Sequence, residues 1–539
     1  MTEKQTPSQE VSTSMRQTVE REKRAMTKAA GIVGFWTALS RITGFIRDMA
    51  IALFMGAGLG ADAFFVAFRI PNLLRRLFAE GALTAAFIPT YVEVLQKKGV
   101  SEAAKLAQVA FTFSGILLCA VTLLGVTFTP YVVELIAPGF GSDPYKFSLT
   151  VELTRIMFPY IFFISLVALL SGALNSFGIF APPAAAPLLL NMTMIGSVLV
   201  FSAHYKCPAY YSLSWAVILA GFFQLLLQLP FLPKLGIKLS LNFDFSNPAL
   251  RKMGALFVPA AIGGAVYQVN VLVGTILASM LPAGGVSWLY YADRLVELPL
   301  GIFAIALGTA VLPSMSRLAG QGDNKALMRS LSFSLNLIAF LTIPASVGLI
   351  ILREPIISIL FQRGMFTYVD TQETAYALLF YTSGLWAYSG LKVVTQAFFS
   401  LKDTKTPLWV SIGSVLTNLL FGIALMGPLR HGGLAFATAI SASFNLLILF
   451  VVLVRRIGFF PTHDFCVSLM KTILASCVMG LILWFFKDSA EWSQGLNSRN
   501  GLILSGLLAG GILAYFISAF VLKCSETKIL RSLIKGSRT

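Results

Sequence analysis

The feature that most constrains this chain is a series of continuous apolar runs, each about 20 residues long, which recur from residue 29 to residue 522. A run of that length crosses a hydrocarbon core of roughly 30 Å as one α-helix. Backbone groups in lipid must be satisfied internally, and continuous rather than alternating runs favour helices over barrel strands. Only 12% of the residues are charged, against about 25% in soluble domains. The sequence therefore predicts an all-α integral membrane protein.

We expect about 14 transmembrane helices, with boundaries accurate to a few residues. They form two six-helix lobes and a C-terminal pair: 29–55, 62–94, 106–136, 150–175, 181–203 and 211–232; 254–281, 286–315, 328–352, 372–400, 406–427 and 433–454; 465–486 and 500–522. The corresponding domains are a flexible cytosolic tail (1–28), an N-lobe (29–233), a cytosolic linker (234–253), a C-lobe (254–457), a helix pair (458–523) and a cytosolic C-terminal tail (524–539). The first tail lacks the apolar core of a signal peptide.

The basic residues lie mainly in the loops of one side of the membrane. With the N-terminus inside, the opposite side carries only Lys146, Lys206, Arg353, Arg363, Arg430, Lys487 and Arg499. The positive-inside rule then places both termini in the cytoplasm. This bias also accounts for the net charge of +17, so no nucleic-acid partner is expected. The five cysteines and three histidines have no paired or metal-ligand spacing, and no cofactor is predicted.

The two six-helix blocks show a weak internal repeat. Aligning Pro89 with Pro313 places AFFVAFRIPNLLRRLFAEGALTAAFIPTYVE over SWLYYADRLVELPLGIFAIALGTAVLPSMSR. Six spans per block make the repeats parallel, and transporters built in this way carry their substrate between the halves. The last span, GLILSGLLAGGILAYFISAF, lies outside the repeat. Its Gly506 and Gly510 indicate either close packing of another helix or a smooth groove for a long apolar chain.

Charged residues inside the apolar runs are the informative exceptions. Each one costs about 2.5–3.5 kcal/mol at the centre of a helix on insertion scales. They are Arg41, Arg47, Asp48, Asp62, Arg69, Arg75, Arg76, Glu80, Asp293, Arg294, Glu297 and Lys392. Some can snorkel to water, and Arg76, Glu80 and Glu297 can serve as structural pairing partners. Seven or eight of them facing lipid would cost on the order of 20 kcal/mol, so their helix faces must turn toward one another or toward a water-filled cavity.

Arginine outnumbers the acidic residues in this set. Arg41, Arg47, Arg75 and Arg294 against Asp48 and Asp293 leave a cationic cavity. Arginine is suited to bidentate binding of phosphate or carboxylate, so the residues indicate a transporter for an anionic, phosphate-bearing substrate. A drug exporter for cations would need an acidic cavity. A membrane enzyme acting on pyrophosphate would need clustered carboxylates such as DDxxD, which are absent; we therefore predict a transporter rather than an enzyme.

Several long motifs resemble those of one family. SRITGFIRD, ADAFFVAFRIPNLLRRLFAEGALTAAFIP, APGF, FAPPAAAPLLLN, VSWLYYADRLVELPLGIFAIALGTAVLPSMS, LFQRGMF and FFSLKDTKTP are similar to the bacterial MurJ (MviN) lipid II flippases, of the superfamily that includes MATE exporters. The resemblance implies alternating access that moves lipid II, the undecaprenyl-pyrophosphate-linked disaccharide-pentapeptide, to the periplasmic leaflet of the bacterial inner membrane. It further implies a monomer among membrane lipids, with the last helix pair forming a groove for the lipid tail.

The resemblance also implies residue roles. Substrate binding falls to Arg41, Arg47, Asp48, Arg75 and Arg294, with Arg47, Arg75 and Arg294 on the pyrophosphate and Asp48 orienting Arg47 or Arg41. Gating or supporting roles fall to Ser40, Asp62, Arg69, Arg76, Glu80, Asp293, Glu297 and Lys392, with Asp62 at the outer gate. Some relatives carry an acidic sodium ligand in span 7, where this chain has Gln268 and Asn270, so no metal site is expected. A flippase for another polyprenyl-pyrophosphate-linked saccharide and a MATE-like exporter remain the alternatives.

Overall fold

The computed structural model describes residues 7–76, 83–236 and 240–527, which contain helices and no strand. The helices are α1 (Pro7–Met55), α2 (Leu59–Leu74), α3 (Thr84–Thr127), α4 (Thr129–Ile136), α5 (Pro144–Met157), α6 (Tyr160–Ser176), α7 (Ala181–Ser197), α8 (Ala209–Gln228), α9 (Pro248–Ser279), α10 (Gly285–Pro299), α11 (Ile305–Gly320), α12 (Asn324–Ile351), α13 (Arg353–Phe361), α14 (Tyr368–Ser383), α15 (Leu385–Ser400), α16 (Lys405–Ile457), α17 (Thr462–Phe486) and α18 (Ser498–Val521). The predicted all-α class is confirmed.

Within the described ranges, nine helical segments are long and apolar enough to cross a membrane: Ala29–Met55, Thr84–Thr127, Pro144–Ser176, Ala181–Ser202, Ala209–Phe231, Asn324–Ile351, Lys405–Ile457, Thr462–Phe486 and Ser498–Val521. Of the predicted spans that lie wholly within the described residues, four are divided between consecutive α-helices. The span 106–136 covers the end of α3 and all of α4, and the span 150–175 covers parts of α5 and α6. The span 286–315 becomes α10 and α11, separated by a π-helical stretch, Leu300–Ala304, directly after Pro299, because proline lacks the N–H that an α-helix requires. The span 372–400 becomes α14 and α15. The number of 14 spans stays a prediction.

α16 is two antiparallel helices joined at a sharp break. Arg430 lies at φ 49° and ψ −134°, two residues after Pro428. Ser414 and Ser441 exchange hydrogen bonds of 2.6–3.0 Å, which requires the chain to fold back between them. This arrangement matches the separately predicted spans 406–427 and 433–454. α3 has a similar break at Gly99, at φ 82°, where the predicted loop QKKG ends and where glycine adopts a positive φ without a steric cost.

The N-terminal segment departs from its prediction. The first 28 residues were expected to form a flexible tail, but α1 begins at Pro7 and continues without interruption to Met55. The segment from Pro7 onward is therefore helical, and it forms one helix with the first apolar run.

The chain forms two compact units. Unit 1 comprises Met1–Asp48, Phe68–Phe128 and Thr154–Gly264. In it α6 packs against α3 and α8, and α7 packs against α8. The contact between α6 and α8 is close at Gly221, where a Cβ would lie 2.8 Å from the Tyr160 ring. Small residues allow this approach of two backbones, as is usual between membrane helices.

Unit 2 comprises Met49–Ala67, Thr129–Leu153 and Ala265–Thr539. Its main core lies among α11, α12, α15 and α16, with Leu331, Val393 and Phe398 fully buried. The segments 49–67 and 129–153 come from the predicted N-lobe, yet their contacts place them in this unit. The compact units, which are defined by contacts, therefore differ from the lobes, which are predicted from the order of the spans. The lobe boundaries remain a prediction.

The C-terminal helix pair contacts two other elements of unit 2, α12 and α13. α17 and α18 pack together, and α17 packs on α12. The Tyr515 hydroxyl of α18 donates to the Phe340 carbonyl of α12 at 2.6 Å. The loop between α17 and α18 reaches α13, where Ser358 Oγ donates to the Trp492 carbonyl at 2.6 Å and Gln362 donates to the Ser493 carbonyl.

Candidate functional site

The charged cluster on α1 lies in unit 1 and centres on Arg47. Its Nε and Nη2 donate to Asp48 Oδ1 at 3.0 and 2.7 Å. Its Nη1 donates to Asn191 Oδ1 of α7 at 3.0 Å. The side chains of Arg47 and Asp48 are only 12% and 4% exposed, so this is a buried, hydrogen-bonded ion pair.

Asn191 is a member of this cluster that sequence reasoning missed, because a neutral amide does not stand out in an apolar helix. Its Nδ2 donates to the Ser40 carbonyl at 2.9 Å and to Thr43 Oγ1 at 3.2 Å. The available signal was its position at the end of the motif FAPPAAAPLLLN. Ser40, a predicted supporting residue, thus contributes its carbonyl group rather than its hydroxyl to this contact.

The other described charged residues of unit 1 are half-buried or exposed. Arg75 Nε donates to Asn72 Oδ1, one turn earlier, at 2.9 Å. Arg41 is exposed, and Arg69 and Arg76 are half-buried. Glu80 lies outside the described residues.

Arg294 lies on α10 in unit 2, in a second charged cluster. Its Nη1 lies 2.8 Å from Glu297 Oε2, and its Nη2 lies 3.7 Å from Asp293 Oδ2. The guanidinium lies over the Tyr290 ring, 5.0 Å from its centroid, a cation–π contact. Here the carboxylates are nearly half exposed, so each pair contributes at most about 1 kcal/mol. Lys392, on α15 of the same unit, is exposed.

Asp62 lies in a buried polar site inside unit 2. Its Oδ2 accepts from Lys146 Nζ and from the Gly284 backbone N–H, both at 2.8 Å. Its Oδ1 accepts from the Ser287 backbone N–H at 2.9 Å and from Ser287 Oγ at 2.6 Å. The Asp62 side chain is fully buried and that of Lys146 is 6% exposed. The Lys146 ammonium also lies 4.1 Å from the Phe140 ring centroid.

The start of α10 explains why this site suits a carboxylate. The first turn of a helix has N–H groups without intrahelical partners, and its dipole favours negative charge. Gly284 precedes α10 at φ 94°, and a Cβ there would lie 2.5 Å from the Trp288 ring, so only glycine fits. Asp62 was predicted from the sequence, whereas Lys146 was expected only as a loop residue.

A close backbone contact fixes the end of α1 in the same unit. The Met365 N–H, in the motif LFQRGMF, donates to the Leu53 carbonyl at 2.9 Å. A Cβ on Gly364 would lie 2.3 Å from that carbonyl oxygen, and a Cβ on Gly56 would lie 2.3 Å from the Met365 carbonyl oxygen. Tyr291 OH donates to the Gly56 carbonyl at 3.1 Å. These paired glycines let the two chain segments touch directly.

Asn270 of α9 forms a neutral pair with Asn418 of α16. Asn418 of α16 donates from its Nδ2 to Asn270 Oδ1 at 2.9 Å, and Gln268 is buried. In the described part of the chain, no three His, Cys, Asp or Glu residues are grouped as metal ligands.

Comparison with known proteins identifies the family. A family model described as "Lipid II flippase MurJ" matches residues 51–502. The chain belongs to the MurJ family of lipid II flippases. MurJ proteins are transporters, so the predictions of this family and of a non-enzymatic protein are confirmed. The chain is 36% identical over 500 residues to the "Probable lipid II flippase MurJ" of Vibrio cholerae, covering 91% of this chain and 95% of the relative. It is also 36% identical to the "Lipid II flippase MurJ" of Burkholderia cenocepacia, covering 87% and 91%.

Solved structures agree with the MurJ assignment. One described as "Lipid II flippase MurJ, inward closed conformation" superposes with a TM-score of 0.75 at 28% identity, covering 93% of this chain and 99% of that one. An inward-facing MATE-family transporter of the MOP superfamily gives a TM-score of 0.66 at 16% identity, covering 78% and 94%. That second likeness shows a common fold alone.

Proposed function

We propose that this chain moves lipid II from the cytoplasmic to the periplasmic leaflet of the bacterial inner membrane by alternating access, as a monomer with both termini in the cytoplasm. The observation that carries this proposal is the MurJ family match over residues 51–502, together with relatives named as lipid II flippases across nearly their whole length. The loop charges support the orientation, because basic residues concentrate on the side of the N-terminus.

The chemistry of the substrate requires a cationic site. An isolated ion transferred into a low-dielectric medium costs tens of kcal/mol, so a pyrophosphate does not cross lipid unaided. We propose that Arg47, Arg75 and Arg294 hold this group in a central arginine-rich cavity, with Arg41 beside them. Arginine is suited to the role because its planar fork binds phosphate oxygens through two parallel hydrogen bonds.

The ion pairs of the arginines suggest how the site releases its cargo. Arg294 is held by partly exposed Glu297 and Asp293, and exposed pairs are weak enough for a doubly charged ligand to replace. Arg47 is held more tightly, because its pair with Asp48 is buried and breaking a buried pair costs more. We propose that pyrophosphate exchanges with these carboxylates on binding and that the carboxylates return on release.

The Asp62 site supports a gating role. Four donors converge on one buried carboxylate, so the contact forms or breaks as a whole. We propose that it closes the periplasmic side while the substrate enters from the cytoplasm. Opening then requires Asp62 and Lys146 to separate or to move together into water.

The C-terminal helix pair supports a groove for the lipid tail. A Cβ placed on Gly506 or Gly510 of α18 would meet no atom of the described structure within 4 Å. No neighbouring helix of the described chain therefore occupies that face, which disfavours the close-packing alternative. The face is lined by exposed apolar residues, including Leu502 at 75% and Leu513 at 62%, which suit an undecaprenyl chain.

The experiment that tests the function is transport by the purified protein in vesicles containing lipid II, with a membrane-impermeant reagent that reports the exposed leaflet. Arg47→Ala, Arg75→Ala and Arg294→Ala should each slow flipping at least tenfold, because each removes charge-assisted hydrogen bonds to the pyrophosphate. The matched control is Arg317→Ala, an exposed arginine at the end of α11, which should remain within twofold of wild type. Normal rates in all three variants would overturn the arginine assignment. Transport of a different polyprenyl-pyrophosphate sugar, but not of lipid II, would identify that sugar lipid as the substrate.

A further inference from the structure

The side chain of Asn191 contacts one face of α1 along two turns. Ser40, Thr43, Gly44 and Arg47 have the spacing i, i+3, i+4 and i+7, which places them in one row on a helix surface. Asn191, from α7, binds three of them. At the fourth, a Cβ on Gly44 would lie 3.4 Å from Asn191 Nδ2, an ordinary van der Waals distance, so the amide lies directly against this position.

The contacts fix which way the amide points. The Ser40 carbonyl oxygen can only accept a hydrogen bond, so it must face the Asn191 NH2 group. Arg47 can only donate, so it must face the Asn191 oxygen. The α1 backbone therefore holds the amide with its oxygen toward the guanidinium, and reversing it would place donor against donor and acceptor against acceptor.

Asn191 and Asp48 accept hydrogen bonds from different nitrogens of the Arg47 guanidinium. Asp48 Oδ1 accepts from Nε and Nη2, and Asn191 Oδ1 accepts from Nη1 on the other side of the group. Contacts on two edges restrict the orientation of the guanidinium more than the Asp48 contact does by itself. The Asn191 amide is neutral, so it orients the cation without cancelling its charge.

We infer that Asn191 is a positioning residue for substrate binding, which holds the Arg47 guanidinium in the orientation that receives a pyrophosphate. This inference rests on the proposed function, because it assigns Asn191 an effect that acts through Arg47. A helix-packing role would need only the contacts to Ser40 and Thr43. A positioning role also requires the contact to Arg47, so the two roles predict different effects on substrate binding when Asn191 is replaced.

The test measures equilibrium binding of lipid II to the detergent-purified full chain, in wild type and in Asn191→Ala, Asn191→Asp, Thr43→Val, Arg47→Ala and the double variant Arg47→Ala/Asn191→Ala. Asn191→Ala should weaken binding about tenfold, the usual effect of losing one hydrogen bond to a charged group. Asn191→Asp keeps the shape but places a second carboxylate on Arg47, so it should weaken binding at least as much. Thr43→Val removes a packing contact of the amide without touching the Arg47 contact, and should stay within twofold.

The double variant separates the positioning role from packing. If Asn191 acts through Arg47, adding Asn191→Ala to Arg47→Ala should change binding less than twofold. A further tenfold loss in that background, or wild-type binding by both Asn191→Ala and Asn191→Asp, would overturn the inference while leaving the proposed function intact. Wild-type binding by Arg47→Ala would overturn the arginine site, and this inference with it. Should Asn191→Ala fail to fold, the isosteric Asn191→Asp decides the matter in the same assay.

Discussion

Lys146→Met is the substitution whose effect follows most directly from the geometry. Methionine keeps the length and apolar stem of lysine but removes the ammonium that lies 2.8 Å from Asp62 Oδ2. Asp62 would then be a fully buried carboxylate with three remaining donors, from Gly284 and Ser287, and no cation. Breaking a buried pair from one side leaves an uncompensated charge, which is costly in a low-dielectric interior.

The expected magnitude is large. Removal of one partner of a buried ion pair costs about 3–5 kcal/mol. At about 1.4 kcal/mol per factor of ten, the equilibrium for local opening of the Asp62 site should rise roughly 100- to 4,000-fold. Loss of the contact between the ammonium and the Phe140 ring acts in the same direction.

Hydrogen exchange of backbone N–H groups, measured by mass spectrometry, reports the local opening of the Asp62 site. The Gly284 and Ser287 N–H groups donate to Asp62, so peptides containing them should exchange faster in Lys146→Met by that factor. Lys105→Met is the matched control, because the Lys105–Glu102 pair is 58% and 42% exposed and exposed pairs contribute about 0–1 kcal/mol. Adding Asp62→Asn to Lys146→Met removes both charges and should restore protection at the Ser287 N–H, whereas the amide NH2 leaves the Gly284 N–H without an acceptor. Unchanged exchange in Lys146→Met would refute the reasoning.

Two further substitutions test the fold. Gly364→Ala places a Cβ 2.3 Å from the Leu53 carbonyl at φ 58°, whereas Gly458→Ala has a similar φ of 73° and meets nothing within 4 Å. Both should lower Tm through the left-handed backbone, at about 1–2 kcal/mol, and Gly364→Ala should lower it clearly further; equal shifts would contradict the close contact. At the start of α16, hydrogen bonds from the Thr406 N–H and hydroxyl and the nearby Arg456 hold the pKa of Asp403 below its ordinary value of 3.8. Because the folded pKa is depressed, this stabilisation is present above pH 3.8 and lost as the pH falls through the folded pKa. The Tm difference between wild type and Asp403→Asn should therefore shrink below pH 3.8, and a difference independent of pH would exclude the effect.

The sequence predicted those features that depend on local composition. The last two spans, 465–486 and 500–522, agree with α17 and α18 to within three residues at each end, because a long apolar run has one favourable conformation in lipid. The spacing of Arg294 and Glu297 is that of neighbours on a helix, and they form an ion pair. Pro299 is the local signal for the division of the span 286–315, because proline removes an N–H from the helix.

Contacts between residues that are far apart in the chain could not be predicted from the sequence. Lys146 is predicted in an outer loop because it lies between the predicted spans 106–136 and 150–175, and nothing local indicates that Asp62 lies beside it. The candidate residues are those whose charge is costly in lipid. Asn191 carries no charge, so this criterion does not select it. Both residues acquire their importance from partners more than 80 positions away in the chain, and the residues next to them in the sequence do not indicate these partners.

The short helix α13 has a mechanical consequence. It contains nine residues and is about 13 Å long, too short to bend appreciably. One of its side chains, Ser358, is bonded to the loop between the last two helices, and the turn that follows it is bonded to the end of the first helix at Leu53. A displacement of the C-terminal helix pair would therefore be transmitted along this rigid helix to Leu53, at the end of the first helix.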